Sequence, residues 1–567
     1  MSRLSGFAPL VLLTSCSAIA AADPAPPART PTQSAGKDVL PLTGLAPAKL
    51  AENLCVYKYP VSTRSKECQA FVDQALGYYY SYVYMESARS FETALRYDPE
   101  CAYAWLGLFR GMDKWGRGGT LKPAAFRAVA GAGWPNAKLP AVFSKPAKEF
   151  ALEQARRLLP RANNREQLLI TAKLQERGMW PGVGPSDRRK KAQQTLDELL
   201  ALYEDDEEGW FARAQVADGQ YGAAPFYKAL LKINPLNPGA NHEFVHFYER
   251  IRRPALGWTF AENYIKSSPG IPHALHMQAH LATRVGKWDR TTDWSARAVE
   301  LEKAYHQFQG VKPSEDDQFS HHIEILTKCL VHDGRFAEAA ALKADAKKYG
   351  YNYAAEWFQL ALAAKDWPSA EAMVADFRKQ DKRTGAYYAA QLCLERGETA
   401  RAAAEVDTLR HTQKGRSRNN RQAEQQLWEV QGRLLCQQGD GDAGCKLIRK
   451  AVDATKNDFS HHAWGSGAVL MEEWGVAALE GGVAKEAEEA FQEALAHDAG
   501  SVRGALGMAA LCDRLGRTDE AARYLKVAHR FWTKAEPSRF EQLRMEMAEK
   551  ASKIPVAATE HTSAVKN

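Results

Sequence analysis

The sequence predicts an all-α solenoid of antiparallel helix pairs, and three observations carry that prediction. Apolar residues recur at helical spacing along most of the chain, with no strand alternation of any length and no hairpin turn pairs. Packing residues recur with a period of 34: Ala487, Phe491 and Ala494 are followed by Ala521, Leu525 and Ala528. At 567 residues the chain is too long for one ordinary core. An array in which each helix pair buries its apolar face against the next removes that difficulty.

Residues 1–22 have the form of an export signal: Arg3, a short apolar core from Gly6 to Leu13, then small residues. The core is far too short to span a bilayer, and no later stretch is long and apolar enough to be a membrane segment. "AIAAA" before Asp23 suits ordinary signal cleavage. "LTSC", ending at Cys16, resembles a bacterial lipobox whose cysteine is acylated. Both readings place the protein outside the cytoplasm, in the periplasm or as an outer-membrane lipoprotein, with membrane contact only through the anchor. Residues 23–66 are expected to be a Pro/Ala-rich tether and an irregular segment.

Residues 67–350 form the first helical array in this reading, 351–551 the second, and 552–567 a disordered tail. The first clear repeat sets Ala75, Tyr78, Ser87, Phe91, Ala94 and Pro99 at the required spacings. Small residues stand where paired helices cross, aromatics fill the space beside them, and the proline ends the second helix. Helices follow over "CAYAWLGLFRGM", near 144–158 and 164–176, and as two helices within 188–232. Residues 302–318 have the form of a loop insertion. Turn glycines then recur with a small residue five later, as in Gly334 with Ala339 and Gly397 with Ala402.

Thirty-four is the length of a tetratricopeptide repeat. With Gly286 at the inter-helix turn, position 15, Thr291, Ser295 and Ala298 fall at 20, 24 and 27. One period earlier, Gly257, Ala261, Tyr264 and Pro269 fall at 20, 24, 27 and 32, an agreement not used to set the phase.

That phase places a histidine cluster. His242 and His246 occupy positions 5 and 9 of one repeat, and His273, His276 and His280 occupy 2, 5 and 9 of the next. Spacings of three and four keep these on one stripe of the first helix. The following unit, phased on Gly334, puts His321 and Glu324 at 2 and 5. In tetratricopeptide proteins this stripe lines the concave groove where ligands are held, so His273, His321 and Glu324 are expected beside His242, His246, His276 and His280. Four histidines, or three with a carboxylate, suit zinc, copper, nickel or iron better than magnesium or calcium. A protein or peptide segment, or an anion, is the competing occupant. "HEFVH" (242–246) also matches the metalloprotease pattern, with Glu243 as general base. The repeat phase explains both histidines without that chemistry.

The chain resembles exported bacterial tetratricopeptide proteins that carry H-x-x-x-H, then H-x-x-H-M-P-x-H, and an early DP-x-C-A-x-A-x-W segment. Here these stand as "HEFVH", "HALHMQAH" (273–280) and "DPECAYAW" (98–105), with Gln278 in place of the proline. The resemblance covers roughly 70–350 and implies the repeat fold; it carries no activity across.

Net charge is +7, with acidic and basic residues interspersed. The basic runs 187–191 and 414–421 read as solvated faces, so no nucleic-acid partner is expected. His461 and His462 read as a helix-start loop. Of nine cysteines, Cys55 with Cys68 and Cys436 with Cys445 are the close disulfide candidates.

Overall fold

The computed structural model describes residues 39–115, 147–412, 418–455 and 466–556. Cys16, His461, His462 and residues 414–417 of the basic run lie outside the described residues. Among those described there are 25 α-helices and no strand. The first half comprises α1 (Lys66–Tyr80), α2 (Tyr84–Tyr97), α3 (Ala102–Trp115), α4 (Ala147–Arg157), α5 (Asn164–Glu176), α6 (Arg188–Leu202), α7 (Glu207–Gln215), α8 (Gly219–Ile233), α9 (Pro238–Arg250), α10 (Trp258–Ser267), α11 (Pro272–Arg284), α12 (Trp288–Gln309) and α13 (Asp317–His332). The second comprises α14 (Phe336–Lys348), α15 (Ala354–Ala363), α16 (Trp367–Gln380), α17 (Lys382–Glu395), α18 (Thr399–Thr412), α19 (Arg418–Gln437), α20 (Gly441–Thr455), α21 (Ser466–Glu480), α22 (Ala484–His497), α23 (Val502–Arg514), α24 (Thr518–Phe531) and α25 (Pro537–Ala551).

Consecutive helices pack in antiparallel pairs, each pair against the next, which is a tetratricopeptide-like α-solenoid. The small and aromatic positions do what the period requires. Ala75, Ser87, Phe91 and Ala94 are buried where α1, α2 and α3 meet. The Phe91 ring fills the space where a side chain at Gly107 would stand. Ala487, Phe491, Ala494, Ala521 and Ala528 are buried in the same way near the C-terminus. The pairs continue across residue 350, because α13 packs on both α14 and α15.

Two local expectations fail, each for a physical reason. Residues 302–309 are the end of α12, a 22-residue helix that stops at Gly310 with φ 70°. The polar residues that suggest a loop there face buried partners instead, as shown below. Within 188–232 there is a third helix, α8, with Pro225 inside it. Proline ordinarily breaks a helix by removing a backbone donor, and here tertiary packing of Ala224, Tyr227 and Leu230 prevails.

Residues 39–65 are irregular but tied down. Their backbone N–H groups are taken up by side chains of the helices: Thr43 by Glu92 (2.8 Å), Ala48 by Thr93 (2.9 Å), Lys49 by Gln309 (3.0 Å) and Ala51 by Gln74 (2.8 Å). This strap therefore joins α1 and α2 to the end of α12.

The C-terminal helices fold back onto the middle of the array. His332 Nε2 lies 2.6 Å from Asp498, Trp532 donates to the His332 carbonyl at 2.8 Å, and Lys534 reaches Asp293 at 2.7 Å. Gly286 has φ 70°, and a Cβ there would stand 2.7 Å from the Ala499 nitrogen. The inter-helix turn and the close approach of the returning chain both require glycine at this position.

The described cysteines are free thiols. Cys55 neighbours Ser268 rather than Cys68. Cys68 hydrogen-bonds Cys101, a partner distant from the sequence-expected one. Cys436 and Cys445 do lie together and are both buried, and Cys436 also reaches the Gly441 carbonyl at 3.7 Å.

Candidate metal centre

Three helices bring seven imidazoles together. Asn237 caps α9 by accepting from Ala240 N at 2.9 Å, with Pro238 in the first turn. The same proline start opens α11 at Pro272. Asp316 caps α13 through Gln318 N at 3.0 Å and also takes His306 Nε2 at 2.8 Å. These starts set the register in which α9 presents His242 and His246, α11 presents His273, His276 and His280, and α13 presents His321 and His322.

The imidazoles form three overlapping groups: His242, His246 and His273; His273, His276 and His322; His276, His280 and His321. Within each, the ligating atoms lie within 4.8 Å of one another. His242 Nε2 stands 3.1 Å from His246 Nε2 and 3.1 Å from His273 Nε2. His276 and His280 bring their Nε2 atoms to 2.9 Å.

The outer nitrogens are held by fixed acceptors. His242 Nδ1 donates to the Tyr80 carbonyl at 2.7 Å, and His280 Nδ1 donates to Glu249 Oε1 at 3.1 Å. Glu249 Oε2 is 3.5 Å from His246 Nδ1, and Arg284 donates to Glu249 Oε1 at 2.9 Å. His322 Nδ1 is bound to Glu302 at the end of α12. With the proton on Nδ1, Nε2 keeps its lone pair toward the cluster, which is how outer partners orient metal-binding histidines.

Burial sets the protonation state. It holds His242, His273 and His276 well below the usual imidazole range, reinforced by the neighbouring rings. It lowers His280 to about 4 and His322 to about 3. Glu249 behaves oppositely: burial works against its charge, yet His280, His246 and Arg284 hold it well below the usual carboxylate range. At neutral pH these five buried imidazoles are therefore neutral, the ligating form, beside one paired carboxylate.

The sequence-expected residues are placed as follows. His242, His246, His273, His276, His280 and His321 converge; His242, His273, His276 and His280 are buried, and His246 and His321 stand partly exposed at the edges. The turn between α1 and α2 lies against His242, His246 and His273. Tyr82, at φ 60°, sets its ring against His242 (4.3 Å between centroids) and stacks on His246 (5.7 Å). Glu324 belongs to none of the three groups; it pairs with Lys328 at 2.9 Å and stands 3.7 Å from His321. Glu243 accepts the Tyr82 hydroxyl at 2.8 Å and lines a separate surface cavity with Tyr227, Phe247 and Arg250.

Four contributors escaped the repeat phase. His322 sits at position 3, off the expected stripe, although the doublet with His321 is visible. Glu249 is seven residues beyond His242, on the same helix stripe, so that signal was available. Glu302 lay in the supposed loop. Tyr82 has no local signal, since a remote hairpin delivers it.

Stack and cluster together define an all-α helical-repeat protein with an imidazole cluster enclosed between neighbouring repeats. Residues 72–108, which span the first clear repeat, match the tetratricopeptide repeat family model. The curated proteins contain no match to the chain. Among solved structures, the human IFIT1 dimer with m7Gppp-AAAA is 10% identical, over 83% of this chain and 91% of that one, with a TM-score of 0.26. The APC/C hetero-tetramer Cut9-Hcn1 is 10% identical over 85% and 90%, with a TM-score of 0.27. Naa15/Naa10 bound to HypK-THB is 13% identical over 87% and 85%, with a TM-score of 0.23.

Proposed function

We propose that this chain is a cell-envelope helical-repeat binding protein whose buried histidine cluster holds a late first-row transition metal, zinc or copper. One observation carries the metal reading. An imidazole nitrogen has a single in-plane lone pair. His242 has its proton on Nδ1, fixed by the Tyr80 carbonyl, yet its Nε2 faces two other Nε2 atoms at 3.1 Å. Without an ion, both neighbours would have to donate to that one lone pair, which accepts a single well-aligned hydrogen bond. A cation among the three satisfies both. Nitrogens about 2.0–2.1 Å from a tetrahedral zinc stand roughly 3.3–3.4 Å apart, close to the spacing present. The repeat surfaces away from the cluster are free to engage a protein or peptide partner.

Protein purified without a histidine tag should carry the metal on elemental analysis. Chelation should lower its melting temperature, since a ligand at about 100 times its Kd adds about 2.7 kcal/mol. The chelator should have little effect on a His276→Ala, His280→Ala, His242→Ala triple variant. Because burial lowers the imidazoles below their ordinary range, metal should be retained at pH 6 and lost only in stronger acid. Metal-free protein that ignores chelator, zinc and copper alike sinks the reading.

Location is tested separately. The mature protein should fractionate with the cell envelope, and mass spectrometry should find its N-terminus at Cys16 with lipid attached or at Asp23. A cytoplasmic protein that keeps Met1 contradicts this part.

A further inference from the structure

We infer that the cluster is a two-ion centre, with one ion on His242, His246 and His273 and a second on His276, His280 and His321. This rests on the metal reading above and deepens it.

The two outer groups share no residue, whereas the middle group borrows His273 from one and His276 from the other. The cluster therefore has two complete fillings: one ion in the middle, or one in each outer group. The ring orientations favour the second. A helical i,i+4 pair anchors each outer group, and both pairs already direct Nε2 toward Nε2, at 3.1 Å in α9 and 2.9 Å in α11. A single central ion would leave both of those pairs without an ion, including the doubly contacted Nε2 of His242.

The outer partners point the same way. Glu249 serves one histidine of each set, with Oε1 at His280 Nδ1 (3.1 Å) and Oε2 at His246 Nδ1 (3.5 Å). One carboxylate thus hydrogen-bonds a ligand of one ion and lies within ion-pair range of a ligand of the other. Arg284, also on Oε1, fixes it in place. His322 Nε2 and His273 Nδ1 are buried without a hydrogen-bond partner. His322 is grouped with His273 and His276, one from each set, so its Nε2 stands between the two centres as a further donor. Three protein ligands per ion leave each a position for water or a small anion. Neutral imidazole sets suit zinc and copper.

The test is stoichiometric. Chelated, tag-free full-length protein is titrated with Zn²⁺ and, under reducing conditions, with Cu⁺, and bound metal is counted after gel filtration. Two equivalents are expected for the wild type, one for His246→Ala and one for His280→Ala. A folded fraction measured by circular dichroism normalises the variants. Should a variant fail to fold, Co²⁺ titration of the wild type counts the ions by the visible absorption of four-coordinate cobalt, with two equivalents expected. One equivalent in the wild type, kept by both variants, places a single ion in the middle group and overturns this inference alone. No bound metal overturns the metal reading as well.

Discussion

Glu208→Ala is expected to lower the unfolding free energy by about 3–5 kcal/mol, the cost of leaving a buried charge without its partner. Glu208 is fully buried in α7 and gathers groups from three other segments. Tyr103 donates to it at 2.6 Å, Arg110 at 2.7 Å, Tyr57 at 3.3 Å, and Tyr80 also donates to it. Removing the carboxylate strands a nearly buried guanidinium and three phenols at once. Burial pushes the Glu208 carboxyl up to about 8, while Arg110 beside it favours the ionised form; Glu208→Gln keeps an acceptor and should lose less. The loss should also reach the histidine cluster, because the Tyr80 that Glu208 holds is the residue whose carbonyl fixes His242. Urea unfolding and metal content of both variants check the two effects. An unchanged urea midpoint in Glu208→Ala would mean that solvent replaces the carboxylate.

His332→Ala is expected to cost about 3 kcal/mol below neutral pH and much less in alkali. His332 bridges Asp333 at 3.2 Å and Asp498 at 2.6 Å. Burial alone would lower its pKa, but Asp498 and Asp333 outweigh this and push it up to about 10. A folded-state value above the unfolded one means that the protonated ring stabilises the fold. That contribution is complete below about 6.5 and is lost as pH rises through about 10. Wild-type stability should therefore fall between about pH 6.5 and pH 10, and this component of the fall should be missing from the variant. Parallel urea titrations near pH 6 and near pH 9 measure the difference. Equal slopes for the two proteins would show that the His332–Asp498 pair contributes nothing.

How much of this was legible in the sequence depends on the range of each interaction. The period of 34 and the i,i+4 pairs are local, so the helix pairs and the convergence of α9 with α11 could be read directly. Glu324 and His322 show where that stops. Both lie on α13, beyond the long helix α12, where position 3 rather than position 5 joins the cluster. The enclosure was not legible at all, because Tyr80 and Tyr82 precede His242 by about 160 residues and no local pattern ties them to it. The same holds for Glu302, whose polar neighbours Tyr305, His306 and Gln309 suggested a loop. They are instead bonded to Glu86, Asp316 and the 39–65 strap. Cys68 meets Cys101 rather than Cys55 because α1 crosses the start of α3, a contact that nearness in sequence does not reveal.

The returning C-terminal helices change how the array should come apart. A simple solenoid is additive: units communicate only with their neighbours, and fraying from an end leaves the interior intact. Here residues 498–499, after α22, and 532–536, between α24 and α25, touch the stretch from Gly286 to Ala337, roughly 200 positions earlier. Truncation at the C-terminus therefore removes support from the middle of the chain, next to α13 and its histidines. Unfolding should be correspondingly all-or-none across that span, and hydrogen exchange should report one cooperative block from α11 to α14 that includes α22 to α25.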